Sequence, residues 1–333
     1  MTTPPQYAEL QVTTNFSFLR GASHPEEMAA EAASLGLAAI AITDRNSLAG
    51  VVRAHGEAKA AGLQLIVGAR LDFTDAPSVL CLPTDRAAYG RLSRLLTLGK
   101  RRAPKGDCHI ALGDLLDHGD GQIIIALPPE IADEAVFADH LARLGAHFAG
   151  RIYLAAQHLY RGNDLKRIAR LARLADDRNI PLIATNDVHA HAPDRRRLMD
   201  VIACIRDHCT IDRAGYRLAA NAERHLKPAA EMARLFRDTP EAVARTIEIA
   251  RACTFSLDEL RYEYPDDEAP AGTTPQGELE RLTRNGAAWR YPDGVIDTVQ
   301  AQLAHELELI GALGYAPYFL TVHDIVRFAR GRG

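Results

Sequence analysis

The sequence predicts an α/β fold over its first 190 residues, followed by a helical segment. Three observations carry this reading. Short β-rich runs alternate with longer Ala/Leu/Arg segments whose apolar residues recur at helical spacing, the pattern of β/α units. Seven such runs occur before residue 190, which favours a sheet closed into a barrel over an open one. After about residue 193 the strand signal stops and only helical spacing remains.

Taken in order, AELQV at 8–12 opens the series, and a helix follows over 25–36. There Ser23 and Glu26 have the S-x-x-E spacing of a capping box, and Gly36 sits where the chain must leave the helix. AAIAIT (38–43), LQLIV (63–67), SVLCL (78–82) and QIIIAL (122–127) are the next strands. A helix at 133–148, RIYLAA (151–156), a helix at 163–179 and PLIAT (181–185) complete the alternation, which implies parallel strands. Segments 193–207, 228–237 and 240–253 read as helices, the last with Thr239 as N-cap and Pro240 at the first helical position. Residues 257–277 are acidic, then rich in Pro, Gly and Thr, and mark a boundary. Helices at 276–288, 295–313 and 318–330 follow; Val295, Val299, Leu303, Leu307 and Ile310 form one apolar face of the second. The chain stops at FARGRG without a partner for that face, and a segment of about sixty residues is marginal alone, so the sequence reads as cut.

Composition bounds the function. The 333 residues leave room for two or three domains, or a barrel with an appendage. With 47% hydrophobic and 25% charged residues, the chain is neither disordered, collagenous nor a disulfide scaffold. Its 39 basic and 43 acidic residues give a net charge of −4, so contact with nucleic acid must come from a local patch. No apolar run suits a membrane span and MTTPPQYAEL does not resemble a secretory signal, so no membrane partner is expected. Cys81, Cys108, Cys204, Cys209 and Cys253 are scattered, as expected of reduced thiols in a cytoplasmic protein. Cys204 and Cys209 flank His208 but lack further zinc ligands at suitable spacing.

In an α/β barrel the site lies at the C-terminal strand ends. Here those ends read Gln11 to Gly21, Thr43-Asp44-Arg45-Asn46, Gly68-Ala69-Arg70 and Thr185-Asn186-Asp187-Val188-His189. Together with NFSFLRGASHPEE (15–27), AITDRNSLAG (41–50), TNDVH (185–189), SLDELRYEYP (256–265) and YAPYFLTVHDIVRFAR (315–330), they resemble the PHP (polymerase and histidinol phosphatase) domain. The similarity is to the form that opens bacterial C-family DNA polymerases of the polymerase III alpha-subunit type, especially the error-prone branch. The resemblance implies a distorted (β/α)7 barrel over residues 1–265, a linker over 266–275 and the opening helices of the polymerase palm over 276–333.

An active PHP domain holds a metal cluster on a set of ligands, and residue by residue that set has eroded. The H-x-H of the first strand is Gln11 and Thr13, and the next ligand position is Arg20. The His of T-D-H is Arg45 after Asp44, and the Glu of the third strand is Arg70. By a looser alignment Ser78 and Pro128 stand at two further ligand positions, and only Asp187 and His189 remain. Arginine has no lone pair to offer and does not deprotonate in a protein, so three arginines repel a divalent cation. The expectation is a metal-free, hydrolytically inert barrel with no catalytic residue and no cofactor of its own. Arg45 or Arg70 pairing with Asp44 or Asp187 would then stand in for the metals; solvent exposure or anion binding are the alternatives.

His189 and His191 form an H-x-H that either holds an adventitious ion or is a hydrogen-bonded loop. His24, His158 and His323 read as structural, and Arg195-Arg196-Arg197 as a solvated helix start. Residues 86–106 carry a basic stripe including Arg94, Lys100, Arg101, Arg102 and Lys105, with only Tyr89 interleaved. It reads as either a contact for DNA phosphates or a solvated face. The resemblance further implies a longer parent that extends primers in damage-tolerant synthesis. The parent's palm would hold Mg²⁺, primer-template DNA and deoxynucleoside triphosphates, and a sliding clamp and mutagenic repair proteins would dock outside this chain. The competing classes are an active PHP exonuclease or pyrophosphatase, and a stand-alone binding module.

Overall fold

The computed structural model describes residues 5–130, 134–260, 270 and 272–332. They form two compact units, one ending at Glu259 and one beginning at Leu260. Residues 266–269 and 271 of the expected linker lie outside the described residues, and its last residue, Pro275, already belongs to a helix.

The first unit is built on seven strands: β1 Ala8–Val12, β2 Ala39–Arg45, β3 Gln64–Leu71, β4 Val79–Pro83, β5 Gln122–Ala126, β6 Ile152–Ala156 and β7 Leu182–Ala184. Its helices are α1 Pro25–Ser34, α2 Val51–Ala60, α3 Arg86–Arg102, α4 Leu112–His118, α5 Glu134–His147, α6 Asp164–Asp177, α7 Arg196–Arg206, α8 Ile211–Ala214, α9 Ala229–Leu235 and α10 Pro240–Ala252. The strands lie side by side in chain order. The all-parallel expectation is corrected at β4, which runs antiparallel to both β3 and β5. Residues 72–78 join β3 to β4 without a helix, too short a link for a parallel crossover of a dozen or more residues. The start of β4 therefore lies beside the end of β3.

Alternation along the strands sorts the core into two layers. Ile40, Ile42, Val67, Cys81 and Ile124 face Met28, Leu92, Leu141 and Leu171 of the surrounding helices. Ala39, Ala41, Leu80, Leu82, Ile123 and Ile125 face inward, together with Ile249, Ala250 and Cys253 at the end of α10. That helix covers the N-terminal strand ends. Ala8 N donates to Thr246 Oγ1 (3.1 Å), Arg245 Nη1 to Leu182 O (2.8 Å) and Gln64 Nε2 to Ala250 O (2.7 Å). With that end closed, the C-terminal strand ends are left as the mouth. β1 and β7 are not laddered together; a parallel bridge of Val12 with Val188 pins the seam at the mouth.

Local signals were read with one error at α1. Its N-cap is His24 with Pro25 at the first helical position, and His24 N donates to Glu27 Oε2 (2.8 Å). The Ser23–Glu26 box is thus displaced by one residue, because Ser23 Oγ is engaged with His191 Nδ1 (2.8 Å) and His191 N (3.0 Å). Gly36, at φ +69°, ends the helix with bonds from Gly36 N to Ala33 O and from Leu37 N to Ala32 O, a Schellman pair. Thr239 and Pro240 start α10 as expected.

The second unit contains α11 Pro275–Arg290, α12 Asp297–Ala312 and α13 Ala316–Gly331. Thr274 caps α11 by accepting from Gly277 N (3.1 Å). The core is thin: Leu279, Ala316 and Leu320, with Leu282, Leu307 and Ile310 packed against them. The expected apolar face of α12 is only half covered, since that helix has no fully buried residue. No single described helix is long and apolar enough to cross a membrane.

Candidate functional site at the mouth of the barrel

The seam bridge assembles the mouth. Thr13 N donates to Val188 O and Val188 N to Gln11 O, both at 2.8 Å. This sets Asp187, in the left-handed region at φ +44°, beside the end of β1. Gln11 Nε2 donates to Asp187 Oδ1 (2.7 Å), while Gln11 Oε1 accepts from Gln157 Nε2 and Thr185 Oγ1 (both 2.8 Å). Arg224 Nη1 lies 3.1 Å from Asp187 Oδ2, and His189 Nε2 lies 3.4 Å from Oδ1. Burial works to raise the Asp187 carboxyl, but Arg224 and His189 hold it well below the usual carboxylate range. Burial pushes the His189 imidazole down, against the pull of Asp187. The surviving D-x-H is thus spent on an arginine and an amide.

Asp44 and the arginines depart from expectation. Asp44 is fully buried and pairs with no arginine among the described residues. Its Oδ1 accepts from Thr14 N (2.8 Å) and Ser17 Oγ (2.6 Å), and its Oδ2 from Thr14 Oγ1 (2.8 Å). Three short polar groups of the β1–α1 loop reach it before any long side chain can, and a bond from Arg45 N to Ser17 Oγ (2.9 Å) closes the cluster. Burial raises the Asp44 carboxyl, and the Ser17 and Thr14 bonds resist it.

Arg45 and Arg70 converge on Asp72, which sequence reasoning missed. Arg45 Nη1 meets Asp72 Oδ2 at 2.6 Å and Arg70 Nε meets Oδ1 at 2.8 Å. Ser78 Oγ donates to the same Oδ1 (2.6 Å). The expected pairing with Asp44 or Asp187 is corrected on geometric grounds. Arg45 ends β2 opposite Arg70 in register, and Asp72 follows Arg70 by two residues, the period that keeps side chains on one side of a strand. Asn46 fixes the carboxylate's backbone, accepting from Asp72 N (3.0 Å). Burial would raise Asp72, but Arg70 and Arg45 carry it below its ordinary value. The R-L-D spacing at 70–72 was the available signal; Arg224, far along the chain, had none.

Glu9 was also missed. It is buried on β1 beside a bulge that sets two partner residues against three. Tyr7 Oη donates to Oε2 (2.7 Å), Gln11 N to Oε1 (2.9 Å) and Asn186 N to Oε2 (3.2 Å). Burial lifts its carboxyl to about 7, against those bonds.

Other candidates scatter. The Arg20 guanidinium makes no hydrogen bond or ion pair with a described residue; burial, then Arg45 and Arg206, lower its pKa. The basic stripe divides. Arg94, Arg101 and Arg102 line one cleft with His118, and Arg102 is bound to Asp114 (2.7 Å). Lys100 lines another, with Arg20 and Arg45, and Lys105 is exposed. Arg195 and Arg196 are not simply solvated, being paired with Glu27 and Asp200. Pro128 offers only its carbonyl, to Arg167. Among the described residues no three His, Cys, Asp or Glu side chains come together as a metal site would require.

Residues 9–177 match the family model described as the PHP domain. The chain belongs to the PHP-domain family. Residues 277–333 match the model of the bacterial DNA polymerase III alpha NTPase domain. An error-prone DNA polymerase of Caulobacter vibrioides is 55% identical over 331 residues, covering 99% of this chain and 30% of that protein. Another, of Rhodopseudomonas palustris, is 52% identical over 333 residues, covering 98% and 30%. A solved amidohydrolase from Chromobacterium violaceum superposes with a TM-score of 0.44 at 16% identity, over 55% of this chain and 88% of that one. The polymerase matches bear out the resemblance read from the motifs, and this PHP chain spans under a third of the length of those relatives. At its mouth Asp187 and His189 are surrounded by arginine and amide partners.

Proposed function

We propose that this chain is the opening part of an error-prone DNA-directed DNA polymerase that acts in damage-tolerant repair synthesis. Its PHP barrel is a scaffold without a hydrolytic metal centre. The observation that carries the reading is two side-chain clusters: Arg45 and Arg70, which the resemblance puts at ligand positions, are held by Asp72, while Arg224 and Gln11 use both oxygens of Asp187. A divalent cation needs several oxygen or nitrogen lone pairs in one place, and these residues do not fit one. Internal guanidinium pairs supply positive charge where the metals of an active relative would sit, and hold the strand ends together without them. The polymerase chemistry, its Mg²⁺, its primer-template and its nucleotides belong to regions beyond this chain, as do clamp and repair-protein contacts. This stretch alone is therefore inactive in nucleotidyl transfer.

The test is metal analysis after dialysis against Zn²⁺ or Mn²⁺, with a 3′–5′ exonuclease assay. The expected result is substoichiometric metal, no nucleolysis, and a melting temperature unmoved by EDTA. Near-stoichiometric metal with EDTA-sensitive nucleolysis would establish an active PHP phosphoesterase instead.

A further inference from the structure

The ion-pair network leaves positive charge over, and it lies in a cleft. Two guanidiniums share the Asp72 carboxylate, and Arg20 has no partner among the described residues. Arg20, Arg45 and Lys100 line a cleft of about 670 Å³ between the β1–α1 loop, the end of β2 and the segment after α3. Asp107 is the one acid on its wall. The rest of the wall is mixed: Ser17, Asn46, Ser47 and His109 stand among two phenylalanines, of which Phe16 is half-buried and Phe18 is 83% exposed.

That exposure is built into the loop. Ser17 Oγ is bound to Asp44 Oδ1 (2.6 Å) and accepts from Arg45 N (2.9 Å), and Arg20 N donates to Ser17 O (2.9 Å). Leu19, between the ring and the guanidinium, is held at φ +56°, a region costly for leucine. Phe18 is thus presented to water by a loop pinned on both sides of it. A ring held in solvent beside Arg20, which has no described partner, and the Lys100 ammonium matches the chemistry of a nucleotide, with the base stacked on the aromatic face and the phosphate on the guanidinium and ammonium.

We propose that this cleft is a nucleotide-binding site, with the base on Phe18 and phosphate oxygens on Arg20, Arg45 and Lys100. The ligand is a nucleoside phosphate, either free or as one unit of a single DNA strand. This goes beyond the scaffold reading: the site shares Arg45 with the Asp72 pair, but its wall includes none of Gln11, Asp187 and His189. It also reassigns the basic stripe: Lys100 acts from this cleft, and Arg94, Arg101 and Arg102 do not.

The test uses the 333-residue chain with two probes, a fluorescent N-methylanthraniloyl-dATP and a fluorescein-labelled twelve-residue oligothymidylate, followed by anisotropy. Binding of either should weaken about tenfold in Phe18→Ala through lost stacking, and by at least as much in Arg20→Ala and Lys100→Ala through lost phosphate contacts. Arg173→Ala, exposed on α6, should leave it unchanged. Oligonucleotide binding should lose about one unit of its logarithmic salt slope in Lys100→Ala. Unlabelled dATP that displaces both probes identifies the free nucleotide as sufficient; binding of the oligonucleotide alone identifies the strand. Arg20→Lys should recover part of the loss. No binding of either probe, or an equal loss in Arg173→Ala, or no loss in Arg20→Ala with melting unchanged, would overturn the proposal. None of these outcomes depends on whether the mouth holds metal, which the metal analysis reads separately.

Discussion

At the scale of single residues, the mouth is governed by how carboxylates are shared. Asp72 serves two guanidiniums that repel each other, so removing an arginine and removing the carboxylate are unequal. Arg45→Ala leaves Asp72 with Arg70 and Ser78 and should cost about 1–2 kcal/mol. Asp72→Ala leaves two cations facing each other and should cost about 2–4 kcal/mol. Urea unfolding of both variants checks the order, and an Asp72→Ala no worse than Arg45→Ala would remove the hub from the argument. Glu9 makes a second prediction, through pH. Its folded-state carboxyl titrates at about 7 against an ordinary 4.5, because burial disfavours the anion. The native state therefore holds a proton that the unfolded chain has released. The contribution is full below about 4.5 and is lost as pH rises through 7. Glu9→Gln keeps an acceptor for the two backbone donors and cannot ionise. It should match the parent near pH 4.5 and exceed it by up to about 3 kcal/mol at pH 8. Denaturation midpoints across that range decide it; a difference independent of pH would contradict the assignment.

At the scale of elements, loops and one helix set the geometry of the mouth. The β1–α1 loop turns back so closely that a Cβ on Gly21 would lie 2.3 Å from the backbone of Thr14. Gly21→Ala should therefore cost about 1–3 kcal/mol and disturb the loop that carries Phe18 and Arg20. Gly36 meets no such crowding, and Gly36→Ala should cost only about 1 kcal/mol through its positive φ. Thermal melts of the pair separate steric from conformational demand. At the opposite end, Thr246 accepts from Ala8 N and joins α10 to β1. Thr246→Val leaves that amide unpaired in the core, at a cost of about 1–3 kcal/mol, and should speed hydrogen exchange at Ala8 before it affects the mouth.

At the scale of the whole molecule, the two units differ in how much they bury. The first has two layers of core around a seven-stranded sheet. The second rests on Leu279, Ala316 and Leu320, with Trp289, Ile325 and Phe328 among its exposed large side chains. Local stability follows buried apolar contact. Amides of α12 should exchange about a hundredfold faster than those of β2 in the same chain, a difference that peptide-resolved hydrogen exchange reads directly.

The elements were legible because strand and helix signals are periodic and local. Seven runs of alternating or continuous apolar residues, Gly36, and Thr239-Pro240 each constrain the backbone within a few positions. The residues that line the mouth were legible for a similar reason, since Gln11, Arg45, Arg70 and Asp187 lie at or beside strand ends. The side-chain pairings at those positions depend on chain segments brought together by the sheet. Asp72 could have been taken from its two-residue spacing to Arg70, but its hold on Arg45 needs the β2–β3 register. Arg224 reaches Asp187 across a stretch that holds α7 and α8, and no local pattern relates the two residues. Sequence alone therefore determined which charged groups stand at the strand ends, Arg45, Arg70, Asp187 and His189 among them. Tertiary structure decided where their charge is neutralised and where it is left over, because Coulomb energy depends on distances that only the folded register sets.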